Sequence, residues 1–476
     1  MNFETVIGIE IHCETKTNTK MFSGSKVGFN DPVNTNVNEI DLGHPGTLPT
    51  INKRAVQQAL KACHIFKMDI NPLIVFDRKC YFYPDLTKGF QITQNDYPIG
   101  TKGFIEIDMD DYKKKVSIDK VVMEEDTAKL THFDDYTLID YNRCGSPLIE
   151  IISDASIRSA KEAATYVSTL RNMLLYANIS DAKMEEGSLR CDVNISLRPY
   201  GQEAFGTKTE IKNLNSISNI EKAINFEINR QSKLLLSGEK VVSQTRRFDE
   251  ASRATVKMRD KDGVIDYRFH SEPNLLPTRI SNDMIEEVKS EIPLMPNELI
   301  EVYTNEYGIN IVDARILTSD INISNYFNEA IKYSSNYKGL VNWIITEILS
   351  YLNKNNVSIN EQSLTPKGLA RMLELLEEGL ISSKHLKKIF EIVNKENHDD
   401  IDKIVKENNM MMISDPAQVN EFIEQVIENN PKSIEDYKAG KDNAIKFLQG
   451  QIMKVSQGQV NPKLASDLLI EKLKNL

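Results

Sequence analysis

Ser188-Leu189-Arg190-Cys191-Asp192-Val193-Asn194-Ile195-Ser196-Leu197-Arg198 alternates apolar and polar residues without a break. Side chains of a strand point to opposite faces in turn. Leu189, Cys191, Val193, Ile195 and Leu197 therefore share an apolar face, and Ser188, Arg190, Asp192, Asn194 and Ser196 a polar one. Such a strand belongs to a sheet packed on one side and open on the other, the usual antiparallel arrangement. Residues 6–14 alternate in the same way, and 207–212 read as a third strand with Lys208, Glu210 and Lys212 on one side. Helical stripes interrupt these runs. Val56, Ala59, Leu60 and Cys63 form one, and Ser159 with Glu162 reads as a capping box ahead of Ala163, Val167, Leu170 and Leu174. Strands and helices do not alternate as regular βαβ units, so the predicted class is α+β with an antiparallel sheet.

Near residue 293 the chain changes character, and helix follows helix from there. Thr365-Pro366 is a cap with proline at the first helical position, followed by Leu369, Met372, Leu373 and Leu376 on one stripe and by Gly379 as a stop. Ser383 then precedes Leu386, Ile389, Phe390 and Val393 at the same spacing, which predicts an αα-hairpin. Asp415-Pro416, with a stripe of Val419, Phe422, Ile423 and Val426, and Asn461-Pro462 open two more helices. The charged, Asn-rich segment 395–409 reads as a linker.

Composition sets limits on function. With 476 residues, 40% hydrophobic and 27% charged, the chain has core material for about three domains, and global disorder is excluded. Lys plus Arg number 58 against 69 Asp plus Glu, so the net charge of −11 excludes a polycation that coats nucleic acid. A nucleic-acid partner would need local basic patches such as Lys384, His385, Lys387 and Lys388, which read equally well as a solvated helix face. Cys13, Cys63, Cys80, Cys144 and Cys191 are odd in number and form no Cys-x-x-Cys pair, as expected of reduced thiols in a cytoplasmic protein. No basic stretch precedes an apolar core at the start, and no run is long enough to cross a bilayer.

Four groups of residues carry chemistry. In Gly8-Ile9-Glu10-Ile11-His12-Cys13, Glu10 and His12 project from one face about 6.6–6.8 Å apart, a spacing suited to a divalent cation or a proton relay. Met123-Glu124-Glu125-Asp126 places three carboxylates in a row, which repel one another unless a cation or solvent relieves them. Read alone, the first is more simply an outer face and the second an exposed acidic turn. Glu150 is flanked by Leu148, Ile149, Ile151 and Ile152, where a lone carboxylate costs several kcal/mol unless it is paired or metal-bound. Arg143 is a candidate partner for it. The polar face Ser188, Arg190, Asp192, Asn194, with Lys208 and Lys212 nearby, could hold phosphate or form an ordinary surface strand. Gly201 to Thr209 imitates a phosphate-binding loop, but Thr207 intervenes before Lys208 and no helix follows directly, so it is rejected.

These segments, with Phe76-Asp77-Arg78-Lys79, Tyr81-Phe82-Tyr83-Pro84-Asp85, 140–150, 184–199 and 207–213, resemble in order and over the whole length the B subunits of tRNA-dependent amidotransferases, the GatB family. Gly450-Gln451-Ile452-Met453-Lys454 resembles the tail module that this family shares with YqeY-like proteins. The resemblance implies a catalytic cradle over 1–293 similar to glutamine synthetase and guanidino kinases. A helical domain over 294–405 and a YqeY-like, tRNA-binding α tail over 406–476 would follow. It also implies ATP-dependent phosphorylation of the side-chain carboxylate of Glu-tRNA(Gln), Asp-tRNA(Asn) or both. Ammonia freed by a partner amidase subunit would then form the amide, with a small third subunit completing a heterotrimer. On this resemblance Glu10, His12, Glu124 and Glu150 would hold Mg²⁺, Lys79, Arg190 and Lys208 would face phosphate or substrate, and Ser188, Asp192 and Asn194 would line the ATP cleft. Carboxylate oxygens suit Mg²⁺, whereas the imidazole of His12 by itself suggests Mn or Zn.

The chain departs from the family in two places. Ser23, Ser25, Asn38 and Asp41 stand where many members carry zinc cysteines, so structural zinc is not expected and the loop must be held by ordinary contacts such as the turn at His44-Pro45-Gly46. His270-Ser271 replace an aromatic-Pro pair and Asn274 an Asp. Two alternatives stay open: a tRNA-binding scaffold without chemistry, and a stand-alone kinase of small acids, which the extra tail modules disfavour.

Overall fold

Alternating residues make strands, and β1 (Phe3–Glu14) is the first of nine. It is followed by β2 (Asp69–Ile70), β3 (Gly100–Asp108), β4 (Lys113–Glu125), β5 (Pro147–Ser153), β6 (Leu189–Pro199), β7 (Thr209–Lys212), β8 (Gln244–Asp249) and β9 (Ala254–Asp260). They form one sheet in the order β9-β8-β7-β6-β1-β5-β4-β3-β2, antiparallel throughout except for β7 beside β8. The computed structural model describes residues 3–261, 266–438, 443–456 and 458–474, and the chain divides into two compact units between Met295 and Pro296.

One face of the sheet is dry. Ile7, Ile9, Ile11 and Cys13 of β1, Ile149 and Ile151 of β5, and Cys191, Val193 and Ile195 of β6 are buried in one core with helices α1 (Lys53–Ile65), α2 (Ala160–Tyr176) and α3 (Ile217–Leu236). Each such isoleucine contributes about 1.5–3 kcal/mol, and a one-residue slip would forfeit all of them. The register is thereby fixed, and with it the alignment of the polar residues on the other face.

Local readings hold in part. The 207–212 run becomes strand only from Thr209, leaving Lys208 exposed ahead of it. Gly206 allows the chain to pass close to β6 there: a Cβ at this position would stand 2.0 Å from the Leu197 carbonyl oxygen. Ser159 caps α2 by accepting from Glu162 N at 3.1 Å. The Glu162 carboxylate instead accepts from Arg158 N, Tyr112 and Lys114, so only half of the box forms. The predicted exposed acidic turn at 124–126 is a correction: all three residues are 3% exposed, Glu124 and Glu125 at the end of β4 and Asp126 just after it.

The loop at 20–41 is organised around Lys20, whose side chain is fully buried. Its ammonium meets Asp41 Oδ2 at 3.2 Å, Ser23 Oγ donates to Asp41 Oδ1 at 2.6 Å, and Asn38 N donates to Asp41 Oδ2 at 3.1 Å. Ser25 N donates to Ser23 Oγ at 3.3 Å. The turn at His44 is closed by its N–H on Glu39 O and by Thr47 Oγ1 on His44 O.

In the second unit Thr365 caps helix Pro366–Glu377, and helix Ser383–Glu396 follows, with Leu369, Met372, Leu373, Leu386, Ile389, Phe390 and Val393 buried. Leu375 is buried in the stripe, and Leu376 only half so. His385 closes a capping box with Ser382, and Lys387 pairs with Glu347, so part of the basic patch serves the fold. The expected linker 395–409 contains helix Ile401–Glu407, since Ile401, Ile404 and Val405 at i, i+3 and i+4 are buried despite the charges around them. Helices Pro416–Asn429, Asn443–Val455 and Pro462–Lys474 share a core of Val419, Ile423, Val426, Leu448, Ile452 and Leu469. Among the described residues no helix is long and apolar enough to cross a membrane.

Candidate active site

The open face of the sheet gathers the expected site residues because the packed face fixes the register. His12 lies directly across from Glu150 on β5 and from Arg190 on β6, while Glu10 faces Asp192 and Glu124 faces Leu148. His12 Nε2 stands 3.4 Å from Glu124 Oε1 and 3.6 Å from Glu150 Oε1. Ligand atoms of His12, Glu124 and Glu150 all lie within 4.8 Å of one another.

Electrostatics shows what this arrangement lacks. Burial, followed by the Glu150 charge, pushes the Glu124 carboxyl up to about 8, and burial also raises Glu150. Lys79 pulls both carboxyls down. Burial, followed by the Arg190 charge, lowers His12 to about 3, so its imidazole is neutral near pH 7 and its contacts with the two glutamates are not ion pairs. Two carboxylates short of positive charge beside an uncharged imidazole make a donor set that fits one divalent cation.

Each member of the acidic triplet has its own partner, because alternation turns Glu125 away from Glu124 and the strand ends before Asp126. Glu124 faces the cluster and accepts weakly from Thr93 Oγ1 at 3.4 Å. Glu125 accepts from Lys88 Nζ and Ile92 N, which ties β4 to the small sheet of Asp77–Cys80, Phe90–Thr93 and His270–Ser271. Asp126 Oδ2 accepts from Arg190 Nη2 at 2.7 Å and lies 3.3 Å from Arg143 Nε. Arg143 therefore pairs with Asp126 and not, as expected, with Glu150. Its guanidinium is anchored on Thr127 O and Ala128 O.

The family follows from the whole chain as well as from this cluster. Residues 5–286 match the family model described as the GatB/GatE catalytic domain, and residues 325–473 match the one described as the GatB domain. The chain belongs to the GatB family. It is 49% identical over 477 residues to the B subunit of the aspartyl/glutamyl-tRNA(Asn/Gln) amidotransferase of Oceanobacillus iheyensis, with all of both chains covered. It is 47% identical to the protein of that name from Staphylococcus epidermidis, again with all of both chains covered, and 45% identical to that from Mesoplasma florum, covering 100% of this chain and 99% of the relative.

The remaining expected residues divide. In this GatB chain Glu10 stays on the same face as His12 but lies outside the three-residue group, with Oε1 accepting from Asn194 Nδ2 at 2.8 Å. The other polar side-chain atom of Asn194, Oδ1, is buried without a hydrogen-bond partner among the described residues, and so is Arg190 Nε. Asp192 accepts from Lys212 Nζ at 2.7 Å. Lys79 lies 5.0 Å from the Tyr267 ring centroid. Ser188 reaches the site region, but its hydroxyl is used by the backbone of Lys183. Lys208 is not brought to the cluster, and Lys212 supplies the cation on that strand.

Sequence reading missed Glu14. It continues the Glu10–His12 periodicity by one more step, and burial followed by the Asp126 charge raises it to about 7. Beside it opens a cleft of ≈ 1400 Å³ whose lining includes Glu14, Lys16, Arg54, Lys129, Arg143 and Ser188.

Proposed function

We propose that this chain activates the side-chain carboxylate of Glu-tRNA(Gln), Asp-tRNA(Asn) or both with ATP and then forms the amide with ammonia. Amidase and small third subunits of a heterotrimer would supply the ammonia and complete the enzyme. The reading is carried by one observation: His12, Glu124 and Glu150 converge on the open face of the sheet with Arg190 and Lys79 beside them. A carboxylate is a poor acyl donor because its leaving group is oxide, and phosphorylation provides a better one. Phosphoryl transfer depends on positioning and charge neutralisation more than on covalent chemistry by the protein.

In this reading His12, Glu124 and Glu150 hold Mg²⁺, with Glu10 adjacent. The cation, when bound, neutralises charge on the phosphate oxygens. Arg190 and Lys79 face the transferring group, and Lys212, held by Asp192, takes the place expected of Lys208. Asn194 keeps Glu10 in place through its amide. We further assign the activating chemistry to a cradle over 1–293, and tRNA binding to a helical domain over 294–405 and a YqeY-like tail over 406–476. A pure scaffold would have no use for a buried and a half-buried glutamate with raised proton affinity side by side, a costly arrangement without a ligand.

The test is the reconstituted complex with each mischarged tRNA, ATP and ammonia, scored for amide formation and ATP cleavage. Glu124→Ala and Glu150→Ala are expected to abolish tRNA-dependent ATP cleavage while glutaminase activity remains measurable. Retained cleavage in both variants would sink the reading.

A further inference from the structure

We propose that Asp126 is a positioning residue for Arg190: it pins one end of the guanidinium so that the other end is presented to the transferring phosphoryl group. The inference rests on the functional reading above and deepens it. Arg190 is in register with His12, so its side chain emerges beside the cluster. Its Nη2 donates to Asp126 Oδ2 at 2.7 Å, whereas its Nε is buried with no hydrogen-bond partner among the described residues. A guanidinium presents its five donors in a fixed fork, so fixing one end aims the rest.

Asp126 is held rigidly enough for this task. It is 3% exposed, and its own N–H and C=O are bonded to Ser146 O and Gly145 N. Its second carboxylate oxygen accepts from Thr127 N at 2.7 Å. Arg143, anchored on two backbone carbonyls, balances its charge from the other side. The aim of Arg190 is therefore set by a backbone-locked carboxylate rather than by its own flexible stem.

The experiment is a double-mutant cycle in the assembled complex: wild type, D126N, R190A and the pair, measured for kcat and ATP KM of tRNA-dependent ATP cleavage. Binding of Mn²⁺ to each full chain reports that fold and cluster are intact. The expected result is a fall in kcat of about 10–100-fold for D126N with ATP KM within about threefold, and no further loss on adding D126N to R190A. Independent, additive losses would overturn the proposal, as would D126N at wild-type kcat. R190K keeps the positive charge beside Asp126, at a position 36% exposed. It should lose at least about tenfold in kcat, because an ammonium cannot form the fork. Wild-type kcat in R190K would overturn the proposal even if D126N failed to fold. No tRNA-dependent cleavage in the wild-type complex would refute the functional reading itself, which additivity over an active wild type would not.

Discussion

Cation binding at His12, Glu124 and Glu150 should expel a proton, and the size of the effect follows from the site. Glu124, raised to about 8 by burial and by Glu150, is mostly protonated at pH 7, and a metal ligand must be deprotonated. His12, lowered to about 3, is already neutral and releases nothing. Affinity for Mn²⁺ or Mg²⁺ should then rise about tenfold per pH unit between 6 and 8 and flatten above, a span of about 2.7 kcal/mol. Titration calorimetry in buffers of different ionisation heat should find close to one proton released at pH 7. Glu124→Gln should remove most of that release and weaken binding. The sign for the metal-free chain is the reverse. Its folded carboxyl titrates above the unfolded value of 4.5, so the unfolded state binds fewer protons between there and about 8. Stability of the first unit should fall with rising pH across that window, by up to about 1.4 kcal/mol per pH unit, and added Mg²⁺ should restore it. Affinity that is flat between pH 6 and 8, or equal proton release from Glu124→Gln, would refute this account.

Three further outcomes are expected. Asp41→Ala strands the buried Lys20 ammonium and should destabilise the first unit by about 3–5 kcal/mol in thermal or urea unfolding. Gly206→Ala drives a methyl against the Leu197 carbonyl oxygen and should cost about 1–3 kcal/mol in the same assay, with a wild-type melt counting against the close approach. Arg143→Ala removes a partner of Asp126 and not of Glu150, so calorimetry should find Mn²⁺ affinity within about threefold of wild type. A larger loss would mean that Arg143 supports the cluster directly.

Much of the sheet was legible because one face is packed. The two alternating runs became β1 and β6, and their polar residues were already assigned to a common face. Period-two reading also contained Glu14, one step past His12, but that residue has no flanking motif to mark it. Pairing across strands was not legible. Arg143 is seven residues before Glu150 in sequence, yet its guanidinium is tied to Thr127 and Ala128 beside Asp126. The acidic triplet looked solvated because its neutralising partners Lys88 and Arg190 lie 37 and 64 residues away. In the 395–409 segment, charge density concealed three aliphatic residues at helical spacing.

The division of the sheet into a dry face and a chemical face also shapes how such a protein can change over generations. On β1, β5 and β6 the residues that secure the register and those that line the open face occupy alternate codons. A substitution at 10, 12, 190, 192 or 194 alters the open face while leaving isoleucine packing beneath it untouched. Selection can thus revise what that face accepts, one letter at a time, without passing through sequences that no longer fold.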